Sequence, residues 1–364
     1  MKTSPSPPAH RPESASGTGR PRQADIARRA GVSPGTVSKV INGGAGISAA
    51  LRERVLASML ELGFRPGEAH LKLGAIPREV NLVTFFQFLT LDGSYFHAEV
   101  IRAITAECAR LGIRLETVLL DRDHPNDVSA YRQQLERSKA DAHLAVGIDT
   151  TELLGPLRAS GAPTVIVNGA DPVAYLDNVS PAARRGSKLA AQHLLACGHR
   201  EIVHVTHLFR PLIQQRLEGF RDALEEAGIG FDPQRHVINI DSQVFSSERA
   251  AAVIYARSKA GTLNATALHC VSDYTAFGAI QGLTRAGLRV PDDMSVVSFD
   301  DLPIAALCSP PLTAAGVDRA HLGRVAVRRL VERFQHPDEP PQSIEIGAHL
   351  SQRSSVKSRP APPQ

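Results

Sequence analysis

The stretch from Arg22 to Asn42, RQADIARRAGVSPGTVSKVIN, constrains this chain more than any other. Its apolar residues fall at helical spacing twice, with one break between. Residues 24–30 predict a first helix with Ile26, Ala27 and Ala30 on one face. Gly31 is its stop, because glycine tolerates the left-handed conformation that ends a helix. Val32 packs in the turn. Ser33 is a good N-cap, and Pro34 suits a first helical position, where no N–H is needed. Residues 36–41 predict the second helix, with Val37, Val40 and Ile41 inward and Arg28, Arg29, Ser38 and Lys39 on the outer face. Two short helices at a fixed angle with a polar outer face are how a helix-turn-helix enters the major groove; on composition alone, a plain helical hairpin is the alternative.

Charge separates this end from the rest. Residues 1–78 hold 12 Lys+Arg against 5 Asp+Glu, a net of +7, while the remainder nets −3 and the whole chain +4. A basic end on a mildly acidic body suggests a polyanionic partner, although a charge run alone is as often a solvated face. The 364 residues leave room for two or three domains, and no long apolar run predicts a membrane span. Residues 1–20 contain no apolar segment, so a disordered tail is expected and a secretory signal is not. The four cysteines lie far apart without zinc spacing, which fits free thiols in a reducing cytoplasm.

A glycine-rich loop follows Asn42, and Ser48 then caps a third helix over 49–62, whose Leu51, Val55, Met59 and Leu62 complete a small core. From Val80 onward the pattern alternates. Strands are expected at 80–86, 115–120, 144–148, 164–167, 202–206, 237–240, 266–271 and 295–299. Helices are expected at 97–111, 128–138, 151–159, 180–196, 214–227, 246–259, 274–286 and 319–334. Such alternation means parallel sheets covered on both faces, and the number of units calls for two similar subdomains.

The N-terminal stretch resembles the start of the lactose-repressor (LacI/GalR) family, of the form D-[IV]-A-x-x-A-G-V-S-x-x-T-V-S-x-V-[IL]-N. Here it stands as Asp25-Ile26-Ala27, Ala30-Gly31-Val32-Ser33, Thr36-Val37-Ser38 and Val40-Ile41-Asn42. Similar passages recur at Leu62-Gly63-Phe64-Arg65-Pro66, Gly198-His199-Arg200, Arg216-Leu217-Glu218-Gly219-Phe220, Phe299-Asp300-Asp301, Pro310-Pro311-Leu312-Thr313 and Arg353-Ser354-Ser355. The resemblance implies an N-terminal all-α helix-turn-helix domain plus an α/β core of two doubly wound parallel-sheet subdomains, like a periplasmic binding protein. The expected organisation is a tail at 1–20, the DNA-binding domain at 21–65, a hinge linker at 66–78, the effector-binding and dimerisation core at 79–357, and a tail at 358–364. The implied function is a cytoplasmic, homodimeric repressor of double-stranded operator DNA, controlled by a small-molecule effector, a sugar or sugar derivative, with no cofactor and no metal. A solute-binding protein or a sugar-processing enzyme on the same core are the alternatives.

The resemblance also assigns residues. The base-contacting positions of the second helix are Pro34, Gly35 and Lys39; only Lys39 can donate to guanine O6/N7. Arg22, Ser33, Thr36, Ser38 and Asn42 are cast as phosphate and positioning contacts, with capping an equal role for Ser33 and Thr36. The family's hinge leucine, which wedges into the minor groove, corresponds to Leu73; but His70-Leu71 replaces the usual Ala-Arg, so Leu71 is the alternative. Ligands of doubly wound sheets sit at the carboxyl ends of strands. Asp92, Ser94, Tyr95, Phe96, Asp177, Arg210, Arg216, Ser272, Asp273 and Asp300 are expected there. In the family the positions of Arg216 and Asp300 bind effector, with lesser support for those of Arg210 and Ser272. A carboxylate beside a guanidinium suits vicinal hydroxyls, whereas Arg210 with Arg216 also fits an anion. Asp273 is alternatively an N-cap, and Tyr95 and Phe96 either stack on a ligand or plug the cleft.

Enzyme motifs fail on context. Gly31-Val32-Ser33-Pro34-Gly35 matches the hydrolase elbow G-x-S-x-G, but a helix with two arginines precedes it instead of a buried strand. Gly186-Ser187-Lys188 lacks the Walker glycine five residues earlier, where Pro181 stands. His204 and His207 have no third metal ligand in view, and residues 121–127 lack calcium-loop spacing.

Overall fold

The computed structural model describes residues 23–41, 47–62, 76–89, 91–120, 128–173, 175–207, 210–240 and 247–360. The chain divides into two units, Met1–Ala75 and Ile76–Gln364. In the first, α1 (Gln23–Ala30), α2 (Pro34–Ile41) and α3 (Ala49–Glu61) enclose Ile26, Ala27, Ala30, Val37, Val40, Val55 and Met59. Gly31 has φ +63°, and Val32 N–H donates to Ala27 O at 3.0 Å, closing α1 as its glycine stop requires. Ser33 Oγ accepts from Thr36 N–H at 3.1 Å and so starts α2. Arg29 Nε donates to Glu61 at 2.9 Å, tying α1 to the end of α3.

The second unit runs β1 (Glu79–Phe85), α4 (Leu91–Leu111), β2 (Arg114–Leu120), α5 (Val128–Arg137), β3 (Ala142–Val146), α6 (Thr151–Ala159), β4 (Thr164–Val167), β5 (Asp177–Pro181), α7 (Ala183–Ala196), β6 (Ile202–Thr206), α8 (Pro211–Glu226), α9 (Pro233–His236), β7 (Val237–Asn239) and α10 (Ser247–Lys259). It ends with β8 (Ala267–Cys270), α11 (Asp273–Ala286), β9 (Ser295–Asp300), α12 (Pro303–Leu307), β10 (Thr313–Val317), α13 (Arg319–Gln335), β11 (Ser343–Ile346) and β12 (Ala348–Ser351).

Two six-stranded sheets result, ordered β11-β5-β4-β3-β1-β2 and β12-β10-β9-β8-β6-β7. All pairings are parallel except β10 with β12. Central strands such as β3 and β9 are buried along their whole length, as helices on both faces demand. The chain passes between the lobes three times: from β5 to α7, from β10 to α13, and from β11 to β12. Helices pack closely where glycine permits. A Cβ on Gly219 of α8 would lie 1.9 Å from Arg184 O of α7, and one on Gly278 of α11 would lie 2.0 Å from Ser247 O of α10.

Several expectations are corrected. Residues 180–196 are not one helix: Pro181 ends the strand β5 and α7 starts at Ala183. Strands β5, β10, β11 and β12 lie outside the expected alternation. α4 starts at Leu91, ahead of His97, with a non-helical break at Ser94. Residues 358–360, expected in a tail, lie on the core, where Arg359 N–H donates to Cys197 O at 2.8 Å. The four cysteines are free thiols. No described helix is long and apolar enough to cross a membrane.

Candidate nucleic-acid interface and interlobe cleft

On the three-helix unit, Ser33, Pro34, Gly35 and Lys39 are exposed along the start and outer face of α2, with Thr36 and Ser38 half-buried beside them. Ser33 and Thr36 also bond to each other through their hydroxyls at 2.9 Å, so both shape the turn itself. Val37 and Val40 point the other way, into the core. The face therefore offers one long cation, small hydroxyls and a helix start unobstructed by bulky side chains. Arg22, Asn42, Leu71 and Leu73 lie outside the described residues.

In the second unit a small cavity opens between the lobes. Ser94, Phe96, His97 and Asn168 line it from the first lobe, and Arg210, Leu212, Ile213, Arg216, Tyr274, Asp300 and Leu302 from the second. Arg216 Nη2 donates to Asp300 Oδ1 at 2.8 Å and Nη1 to Val271 O at 2.6 Å, with its guanidinium 3.8 Å above the Phe299 ring. That pair is 7% exposed on each side, and Arg216 Nε is buried with no partner among the described residues. Arg210, at the N-cap of α8, donates to Asp149 at 2.5 Å and to Asn168 O at 2.7 Å. His97 stacks on Phe88 with centroids 3.7 Å apart and bonds Ser94 Oγ at 2.7 Å and the Asn168 side chain at 2.8 Å. Burial, with Arg210 and Arg216 adding to it, holds His97 well below the usual imidazole range and hence neutral. Asn168 and Asp300 both have positive φ, 51° and 102°, so two of the polar groups lining the cavity sit on backbone held in an unfavourable region.

Four expected residues sit elsewhere. Asp177 opens β5, so it stands at the sheet edge remote from the carboxyl ends. It is buried between Arg329 Nε at 2.9 Å and Arg333 Nε at 2.5 Å and accepts from Gln342 N–H at 2.7 Å. Burial raises its pKa, but Arg333, the Gln342 N–H and Arg329 outweigh that and keep it ionised. Ser272 caps α11, accepting from Thr275 N–H, and is fully buried. Asp273 is therefore not the cap; it accepts from Ser298 Oγ at 2.5 Å and from Leu302 N–H at 2.6 Å, away from the cavity lining. Burial, reinforced by Asp300, pushes Asp273 up to about 8. Tyr95 packs on the apolar core, one residue short of the cavity-lining Phe96-His97 pair. The side chain of Asp92 lies outside the described residues.

Residues 24–67 match the family model described as bacterial regulatory proteins, lacI family, and residues 191–356 match that of a periplasmic binding protein-like domain. The HTH-type transcriptional repressor PurR of Haemophilus influenzae is 33% identical over 341 residues, spanning 92% of this chain and 98% of that protein. The chain belongs to the LacI family. It is a DNA-binding transcriptional repressor and not an enzyme. Among solved structures, the transcriptional regulator CelR in complex with cellobiose superposes with a TM-score of 0.67 at 26% identity, covering 92% of this chain and all of that one. The lac repressor dimer bound to operator and the anti-inducer ONPF gives 0.66 at 23% identity, covering 93% and 100%.

For a LacI-family chain, His97, Asn168, Tyr274 and Asp149 are what the sequence reading missed. The Y-F dipeptide at Tyr95-Phe96 marked the segment, but the break at Ser94 turns the helix so that Phe96 and His97 face the cavity. Asn168 and Asp149 follow β4 and β3 and carried only the general signal that polar residues cluster after strands.

Proposed function

We propose that this repressor works as a cytoplasmic homodimer whose operator affinity is set by an uncharged, ring-shaped hydroxylated effector, a sugar or sugar derivative, held between the core lobes. The observation that carries it is the buried Arg216–Asp300 pair in the interlobe cavity, with Arg216 Nε lacking an acceptor among the described residues. A carboxylate and a guanidinium side by side accept from and donate to adjacent hydroxyls. Phe96 and Tyr274 add aromatic surface for a ring face. Both cavity arginines already face a carboxylate, Asp149 for Arg210 and Asp300 for Arg216, so an anionic effector would have to break a buried pair. The cellobiose-bound CelR relative supports a carbohydrate.

On the DNA side, exposed Lys39 reads bases, and Ser33, Pro34, Gly35, Thr36 and Ser38 position α2 in the major groove, with Arg22, Asn42 and Leu73 as further contacts. One such reader covers half a site, which calls for two copies. Leu307, 81% exposed on α12, is apolar surface that a partner copy would cover.

Thermal-shift measurements of the whole chain with ribose, cellobiose and glucose 6-phosphate test the effector class. An uncharged sugar should raise the melting temperature, and Arg216→Ala should lose that rise; stabilisation by the phosphorylated sugar alone would overturn it. Operator binding should fall steeply with salt, as counterion release requires; binding indifferent to salt would remove the DNA-reading part.

A further inference from the structure

The effector reading leaves one part of the cleft unexplained. Arg210 belongs to the second lobe by its place after β6, yet among the described residues the partners of its guanidinium belong to the first: Asp149 after β3, and the backbone oxygen of Asn168 after β4. The ion pair is nearly dry, 12% and 9% exposed, so water screens it weakly. Asn168 is fixed from behind by His97, itself locked between Phe88 and Ser94. Gly147 makes this stack possible, because a Cβ there would lie 2.4 Å from the Phe88 ring. The first lobe thus presents a rigid acceptor pair to one arginine of the second.

We propose that Asp149 is a positioning residue that latches the two lobes through Arg210, holding the cleft closed before any effector arrives. The inference rests on the reading of the cleft as an effector site, and it adds how that site is pre-assembled. Asp149 is absent from the cavity lining, so it acts on a ligand only through Arg210 and lobe closure. The cavity draws its wall from both lobes, so an open form offers half a site; a latch raises the competent fraction and strengthens apparent affinity in proportion. The effector then biases a cleft that is already closed, and its regulatory leverage comes from its own contacts with the closed form.

The test measures lobe separation in the ligand-free full chain. Spin labels at Glu152→Cys on α6 and Glu248→Cys on α10, both exposed, report the distance by pulsed electron paramagnetic resonance in a Cys197→Ser background. The parent should give a single short distance. Asp149→Asn, nearly isosteric but uncharged, and Asp149→Ala should both shift the distribution to longer distances at an unchanged melting profile. Asp149→Glu, which keeps the charge, should stay closer to the parent than Asp149→Asn does. A merely structural role would lower the melting temperature without this charge-dependent ordering. Should Asp149→Ala fail to fold, Asp149→Asn decides alone. Parent and Asp149→Asn distributions that coincide, open or closed, would overturn the latch. Absence of any sugar-induced rise in the parent's melting temperature would instead strike the effector reading and leave the distance result standing.

Discussion

At the scale of single residues, charge matters only where geometry leaves it usable. Lys39 is exposed on the outer face of α2, whereas its neighbours at the base-reading start of the helix, Pro34 and Gly35, offer no side-chain donor. Direct readout therefore concentrates in one side chain. Lys39→Ala should weaken binding to the operator by about 1–3 kcal/mol and binding to random DNA much less, checked by competition titration; equal losses on both would reduce Lys39 to a phosphate contact. Asp300 is constrained twice, by its bond to Arg216 and by φ 102°. Asn tolerates positive φ better than most residues, so Asp300→Asn should keep the backbone while leaving Arg216 without its counter-charge. The expected outcome is loss of effector response in an operator-binding assay, with effector-free operator affinity retained. An unchanged response would exclude Asp300 from the site. Arg216 and Asp300 could be picked out from the sequence because each sits in a motif the family shares. Asp149 and Asn168 could not, because their meaning depends on an arginine from the other lobe.

At the scale of elements, what was legible in the sequence followed periodicity, and what was lost followed topology. Helices α1, α2, α3, α6 and α10 and strands β4 and β6 stand within two residues of where apolar spacing puts them. The strands β5, β10, β11 and β12 were missed for a physical reason. They are short and flank chain crossings, and β11 and β12 hold a single buried residue, Ile346, between them, so no continuous apolar run marks them. The division into two lobes is set by those crossings, which no local pattern encodes. Helix contacts were equally invisible, yet they set strong tests. In the small core of the three-helix unit, Val37 is fully buried. Val37→Ala should destabilise that unit by about 2 kcal/mol and abolish operator binding, with the melting of the α/β core unmoved. Gly219→Ala should do the reverse. Its Cβ would collide with the Arg184 carbonyl, forcing α7 and α8 apart at a cost of about 3 kcal/mol in core stability, while the DNA-reading unit stays folded. Calorimetry that resolves two transitions checks both.

At the scale of the whole molecule, the core carries an unusual load of buried imidazole. His204 and His269 face each other at 2.8 Å through their Nδ1 atoms beneath Phe220, and His269 Nε2 donates to Ser187 O at 3.1 Å. That arrangement uses one proton per ring, and a third, on His204 Nε2, would find no acceptor among the described residues. Burial, with the Arg216 charge adding to it, holds His269 at about 4, and burial followed by Arg216 and Arg210 does the same for His207. Burial alone puts His143 of the other lobe at about 4, and His97 and His204 are likewise lowered. The unfolded chain takes up these protons near its ordinary value of about 6.5, whereas the folded chain refuses them until about 4. Between those values the unfolded state binds more protons, so stability is complete above about 6.5 and drains as pH falls toward 4. Each pH unit of separation is worth about 1.4 kcal/mol per group. Asp273 works against this trend, because its raised value of about 8 makes the folded state the better proton binder from there down to its ordinary 3.8. Among the described residues, His193, His199 and His236 are lowered too, so one raised carboxyl opposes eight imidazoles and the net slope keeps the sign the imidazoles set. The melting temperature of the core should therefore fall as pH drops from 6.5 to 4, and His269→Gln should flatten that dependence. A melting temperature constant across this interval would mean that the buried rings find protons, or water, inside the folded core.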